Sequence, residues 1–277
     1  MRADLGLGIG LTFDNVMAAC ERRLAGDPTM AMVDYVNLGV RFDDVAPAGL
    51  ASRLRECGWP VVIHAVDINL SGALVPDEIK RLGEVGAGLD PVWYEEDLGI
   101  WVWDRLSLGL HHMPPLLTED GALRSAENVR TCRELLGRPF NVENPPVHYA
   151  EGDLDMWAYL AIVAEAADCG IILDSGHMMG FHINTDSRIV VAPAEWPGWA
   201  RVTEMHISGF QVIEVLGSPM WIDVHPAPLP PGQLDWVGTA LGRVGDGVTV
   251  CLEQDGASER VAHESLATVR EMIGVRR

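Results

Sequence analysis

A chain of 277 residues, 48% of them hydrophobic, fits one eight-stranded α/β barrel, a fold that commonly uses about 250 residues as a single domain. The net charge of −20 and pI near 4.7 exclude the cationic footprint a duplex-binding surface needs, so no nucleic-acid partner is expected. Apolar runs are only strand-sized and the opening MRADLGLGIG lacks a long signal-like stretch, so a cytoplasmic protein without membrane spans is expected.

Short apolar runs alternate with amphipathic ones. Strands are predicted at Leu5–Thr12, Met32–Val40, Pro60–Leu70, Pro91–Trp101, Arg138–Pro145, Gly170–His177, Arg201–Gly209 and Gly247–Asp255. Helical patterns fall at Asp14–Leu24, Pro76–Leu82, Ser125–Leu136, Leu154–Ala167, Gln233–Val244 and Ser258–Ile273, with Pro76 at a favourable first-turn position. Strands separated by helices pair in parallel, because each return crossover needs a helix. Repeated without a Gly/Ser linker, the pattern predicts a closed (β/α)8 TIM barrel over residues 1–277, one domain. An open doubly wound sheet is the alternative. It would carry a glycine-rich phosphate turn after the first strand, and GLGIGLT lies inside a strand instead. Cys20, Cys57, Cys132, Cys169 and Cys251 show no C-x-x-C spacing and read as reduced, mostly buried thiols.

The polar residues fall where each strand stops being apolar. VVIHAVD places His64, VWYEEDLGIW places Glu95, Glu96 and Asp97, and FNVENPP places Glu143 and Asn144. IILDSGH places Asp174 and His177, VTEMHISG places Glu204 and His206, and VTVCLEQD places Glu253 and Asp255. The loop WIDVHPAP adds Asp223 and His225. An unpartnered buried carboxylate costs several kcal/mol or more. Lys and Arg are nearly absent from these segments, so divalent metal is the natural neutraliser, and donors of oxygen and nitrogen without thiolate suit iron, manganese or zinc.

Each piece has a plainer reading. A lone buried His64 is ordinarily a satisfied core residue, Asp174 of D-x-x-H is equally a helix cap, D-x-H at Asp223 and His225 is a short match, and Glu96 and Asp97 suit a solvated rim. Their common register favours a multinuclear site at the C-terminal strand ends. His111, His112, His148, His182 and His263 lack such support and read as solvent-facing or structural. Trp101, Trp103, Trp157, Trp221 and Trp236 read as packing, the first three also as candidates to line a mouth.

These segments, with PPLLTEDGALRSAENVRTCRELLGRPFNVENP, resemble the multinuclear non-haem iron-dependent oxidases, formerly grouped as a domain of unknown function numbered 692. The resemblance runs from about His64 to Asp255. It implies a barrel holding two or three irons, in mixed Fe(II)/Fe(III) states, with dioxygen as co-substrate. It also implies a peptide substrate modified at cysteine, or a small amino-acid-derived molecule, and a small partner protein presenting the precursor. By resemblance His64, Glu143, Asp174, His177, His206, Asp223, His225 and Glu253 match ligand positions, with Glu143 bridging. Asp97 stands where the family usually has histidine and remains a ligand candidate. Phe210 replaces a frequent histidine, and D-S-G-H replaces D-x-N-N. Glu96, Asn144, Glu204 and Asp255 are expected to orient ligand histidines. The order of ligands also resembles xylose-isomerase-like sugar isomerases and the zinc sites of endonuclease-IV-type phosphodiesterases. The first normally uses a proton shuttle, while Lys80, the only lysine, falls on a helix, and the second needs groove-tracking cations.

Overall fold

The computed structural model describes residues 4–104, 106–108, 113–245 and 247–274. Eight parallel strands form a closed barrel: β1 (Leu7–Thr12), β2 (Tyr35–Val40), β3 (Val61–Ala65), β4 (Tyr94–Asp97), β5 (Phe140–Glu143), β6 (Ile171–Asp174), β7 (Val202–Ser208) and β8 (Thr249–Glu253). They neighbour one another in chain order. The ring closes through β8 and β1, with Leu7 opposite Val250 and Ile9 opposite Leu252. The strands are buried almost throughout, as parallel strands covered by helices must be, so their sequences run apolar instead of alternating.

The helices are α1 (Val16–Leu24), α2 (Leu50–Cys57), α3 (Pro76–Ala87), α4 (Glu119–Leu136), α5 (Met156–Ala167), α6 (Ser175–Asn184), α7 (Pro231–Val244) and α8 (Glu259–Gly274). Local chemistry sets their ends. Thr118 Oγ1 accepts from Gly121 N at 3.1 Å, Asp155 Oδ1 accepts from Ala158 N at 2.7 Å, and Gly137 ends α4 at φ 64°.

The elements differ from the sequence expectation in three places that matter for the site. Strand six does not run to His177: Asp174 caps a helix that starts at the next residue, so α6 begins inside D-S-G-H. Strand four stops at Asp97 instead of Trp101: Gly99 N turns back to Asp97 O (2.9 Å), and beyond that bend Asn69 Oδ1 takes the Trp101 and Val102 amides (2.7 and 3.0 Å). WIDVHPAP is not all loop. Ser218–Asp223 pairs antiparallel with Phe210–Val215 in a hairpin rising from the end of β7. Helices α2 and α6 have no counterpart among the predicted helices.

Candidate metal centre

The barrel gathers the strand ends. His64 lies next to last in β3, Asp97, Glu143, Asp174 and Glu253 end β4, β5, β6 and β8, and His206 lies within β7. His177 stands on the first turn of α6, Asp223 ends the hairpin, and His225 follows it. All except Asp223 and His225 are buried.

Donor atoms of these side chains converge. His206 Nδ1 lies 3.1 Å from Glu143 Oε2 and 3.4 Å from Glu253 Oε1. His64 Nε2 lies 3.8 Å from both Glu143 Oε2 and Asp97 Oδ2. His177 Nε2 is 3.7 Å and His225 Nε2 3.0 Å from Asp223 Oδ2. Two ligands each about 2.1 Å from one ion stand about 3.0–3.4 Å apart, so these separations are close to those of atoms sharing ions. Hydrogen bonding does not account for them. Among the described residues, His64 Nε2, Asp97 Oδ1, both Glu143 oxygens, Asp174 Oδ2, His177 Nε2, His206 Nδ1 and Asp223 Oδ1 are buried and make no hydrogen bond. Buried polar atoms are rarely left so. Buried clusters able to hold an ion include Glu143, Asp174, His206 and Glu253, and Asp97, Glu143 and His177. The residues fit divalent metal.

The remaining imidazole nitrogens are held from behind. A carbonyl can only accept, so His177 Nδ1 donates to Asn144 O (2.9 Å), which leaves Nε2, toward Asp223, as the nitrogen free to meet a metal. Asp255 takes His225 Nδ1, which aims Nε2 the same way. His206 Nε2 lies 3.2 Å from Glu95 and 3.3 Å from Glu204, leaving Nδ1 to face Glu143. Glu204 in turn accepts from Tyr35 OH, and Gly8 makes room for that tyrosine, since a Cβ there would stand 2.2 Å from its ring. Trp93 Nε1 donates to Glu95 at 2.6 Å. Asn144 also clamps Asp174, taking its amide at 2.9 Å and giving to its carbonyl at 3.0 Å.

Glu95 was missed as an orienting group, although period-two alternation along β4 places it with Asp97 and puts Glu96 on the other side. Glu96 accepts from Ile68 N (2.8 Å) and Asp97 N (2.9 Å), so both its oxygens are engaged with backbone, close to His64 and Asp97. Asp174 serves both readings: Oδ1 caps α6 at His177 N and accepts from Ser208 Oγ at 3.2 Å, while Oδ2 stays open to the cluster.

Electrostatics reflect crowding without Arg or Lys. Burial would lower the His64 pKa, but Glu253, Glu143 and Asp97 outweigh it and raise it to about 10. Burial lifts Glu143 to about 8 and Asp97 to about 6, against nearby histidines. Asp223 falls to about 2 despite burial, held there by His225 and His177. Without metal, protonated imidazoles thus offset part of the carboxylate charge.

Above the cluster lies a cleft of about 480 Å³, lined by His64, Asp97, His177, Asp223, His225 and Glu253 and by Arg41, Trp101, His148, Trp221 and Ile222. Trp221 is fully buried, edge-on to His177 with ring centroids 6.0 Å apart, and a Cβ on Gly180 would stand 2.5 Å from its indole. Phe210, where histidine was the family expectation, packs 6.0 Å from Trp221. Trp157 does not reach a mouth: it is buried against Trp196, Trp199 and Trp236. Trp103 is exposed. His182 is buried on Ser187, and His263 meets Thr29. His111 and His112 lie outside the described residues. All five cysteines are free and buried.

A profile of the family described as RiPP precursor modification enzyme MbnB/TglH/ChrH matches residues 8–273. The chain belongs to this family. Its members modify ribosomally made precursor peptides in natural-product biosynthesis, so the barrel is that of a peptide-modifying enzyme family. The chain is 26% identical over 264 residues to a UPF0276 protein of Rhizorhabdus wittichii, spanning 90% of this chain and 89% of that one. Two solved structures share the fold. Endonuclease IV from Thermus thermophilus has a TM-score of 0.60 at 16% identity, over 98% of this chain and 99% of that one. A xylose isomerase-like TIM barrel protein from Mycobacterium smegmatis, in complex with magnesium, has a TM-score of 0.58 at 10% identity, over 100% and 99%. The TIM barrel is therefore the fold of this chain, as it is of these neighbours. No helix among the described residues is long and apolar enough to cross a membrane.

Proposed function

We propose that this chain is a multinuclear non-haem iron enzyme that uses dioxygen to modify a precursor peptide at cysteine, with a small partner protein presenting the peptide. The observation that carries the reading is the set of buried oxygen and nitrogen donors, without thiolate, that face one another and make no hydrogen bonds. Cys251 comes near Glu204 and His206, but burial holds its thiol protonated, well above the usual thiol range.

His206 Nδ1, Glu143, Asp174 and Glu253 would hold one ion, and His177 Nε2, Asp223 and His225 Nε2 another. His64 and Asp97 complete the set beside Glu143. Glu143 Oε2 faces His206 Nδ1 at 3.1 Å, whereas Oε1 lies 3.4 Å from His177 Nδ1, the nitrogen held by Asn144 O, so Glu143 would serve first the ion at His206. Bound iron would supply one-electron chemistry and affinity for thiolate and dioxygen, which no side chain here provides.

The protein's part is to fix and to shield. Asn144, Asp255, Glu95 and Glu204 fix imidazole orientation from behind, a role whose loss typically costs metal affinity or activity 10–100-fold. Trp221 and Trp101 give the cleft apolar walls that keep water from the substrate, while the exposed edges of Asp223 and His225 leave a way in. Arg41 is the one Arg or Lys lining the cleft among the described residues, so it offers no track of cations for a nucleic-acid backbone.

The test is anaerobic purification from iron-supplied cells, with elemental analysis, a spectroscopic measure of iron valence, and oxygen uptake with cysteine-containing peptides. Two or three irons and peptide-dependent uptake are expected. Tight zinc with cleavage of abasic DNA would overturn the reading. Uptake with a small carboxylic acid and with no thiol peptide would remove its peptide half.

A further inference from the structure

Among the described residues, the hairpin strands Phe210–Val215 and Ser218–Asp223 pair only with each other, from Val215↔Ser218 at the tip to Phe210↔Asp223 at the root. In such a hairpin, hydrogen-bonded and non-hydrogen-bonded pairs alternate from the turn. Trp221 gives its N–H to Asn184 Oδ1 (2.8 Å) and takes Asn184 Nδ2 on its carbonyl (3.4 Å), so its backbone faces away from the hairpin. Its opposite residue, Val212, must face outward on the other side. By the same alternation so must Phe210 and Glu214.

The two edges are treated differently. Along Ser218–Asp223, Asn184 occupies Trp221, and Pro219, the next outward-facing position, has no N–H; both are devices that close an edge. Along Phe210–Val215, the outward backbone groups of Val212 and Glu214 meet no partner among the described residues. Val212, Ile213 and Val215 are 49%, 40% and 39% exposed there. At the tip, Leu216 is fully exposed with φ 53°, in a turn that asparagine would enter with less strain. The root is continuous with the cleft, since Trp221, Ile222 and Asp223 line it.

We propose that this open edge is the docking strand for the precursor peptide, which adds to Phe210–Val215 as a third strand and so feeds an adjoining residue into the cleft. This rests on the peptide reading given above. The chemistry of the edge names the occupant: an extended segment with β-branched or other apolar residues at alternate positions, beside Ile213 and Val215, and a Lys or Arg across from Glu214. Six residues of strand span about 17 Å, so a paired segment of about five residues would end at the root, within reach of the cleft.

Random dodecapeptides flanking a fixed cysteine, displayed on phage, are selected on the full chain, and the enriched peptides are resynthesised with a fluorophore for anisotropy. Alternating apolar sequences with a basic residue are expected. Val212→Pro, which removes an outward N–H and none of the hairpin's own ladder donors, and Ile213→Asp should each weaken binding about tenfold or more. N-methylation of alternate peptide amides should do the same without touching the protein, while methylation in the other register is tolerated. No enrichment, or peptides whose binding ignores both variants and both methylation registers, would overturn the proposal. So would a wild-type dimer that Ile213→Asp dissolves, since a second copy would then occupy the edge. If edge-dependent binding is found but no iron-loaded preparation consumes oxygen with these peptides, docking stands and the oxidase reading falls. If turnover occurs with a KM that both variants leave unchanged, docking falls and the oxidase reading stands.

Discussion

Glu143→Gln should change sign in its effect on stability between the metal-free and metal-loaded protein. Glu143 is fully buried and neither oxygen has a hydrogen-bond partner among the described residues. Burial raises its pKa from 4.5 to about 8; His206 pulls against that and Asp97 adds to it. At pH 7 the metal-free folded chain has kept this proton while the unfolded chain has released it. The folded state then binds more protons, so stability falls as pH rises from about 4.5 to about 8. Only the unfolded state gains appreciably by ionising at pH 7, and at about 1.4 kcal/mol per pH unit above 4.5 the cost is about 3 kcal/mol.

Glutamine is neutral at every pH and its amide oxygen can accept from protonated His206 Nδ1, which lies 3.1 Å from Oε2. In chelator at pH 7 the variant should therefore be more stable by up to about 3 kcal/mol, or about 6 °C in Tm at about 2 °C per kcal/mol for a chain of this size. The gain should vanish near pH 4.5. With iron supplied, the wild type is stabilised by binding in proportion to RT ln(1 + [L]/Kd), and the variant, short of its shared carboxylate, gains less. The assay is thermal unfolding in chelator and in ferrous iron across pH 4.5–8. A variant that is less stable than wild type in chelator, or a difference indifferent to pH, would refute the claim that Glu143 is an unneutralised buried acid awaiting metal.

Asp97→Ala should lower metal stoichiometry by about one while circular dichroism shows an intact barrel; unchanged stoichiometry would place Asp97 beside the ligands instead of among them. Asp174→Asn should keep the cap on α6 and lose metal, whereas Asp174→Ala should lose metal and a further ~1 kcal/mol with the cap, both read by elemental analysis and denaturant unfolding. Gly180→Val puts a side chain into the Trp221 indole and should cost about 1–3 kcal/mol, with weaker metal binding at Asp223 and His225, because the hairpin root must move.

The strand ends were legible because the physical exception was visible in the letters. Apolar runs such as VVIH, FNVE and IILD each terminate in a group that an apolar interior cannot keep unpaired, and only a fold that brings those ends together removes the difficulty. Glu95 was equally legible and was overlooked, since reading EED as a succession ignores the alternation that separates Glu96 from its neighbours. The start of α6 was harder. Asp174 is at once the last strand residue, the helix cap and a cluster member, and periodicity cannot divide roles carried by a single residue.

The hairpin was illegible for a different reason, and that reason bears on what it does. A hairpin is announced by Asn-Gly or Asp-Gly between alternating runs, but the turn here is Leu216–Gly217, with a leucine in the left-handed region at full exposure. Local rules are mostly broken where something other than stability is served. Closing one edge with Asn184 and Pro219 shows that this protein can protect a strand. Leaving the other edge bare, β-branched and rooted in the cleft is therefore better explained by a strand that arrives from outside than by carelessness in the fold.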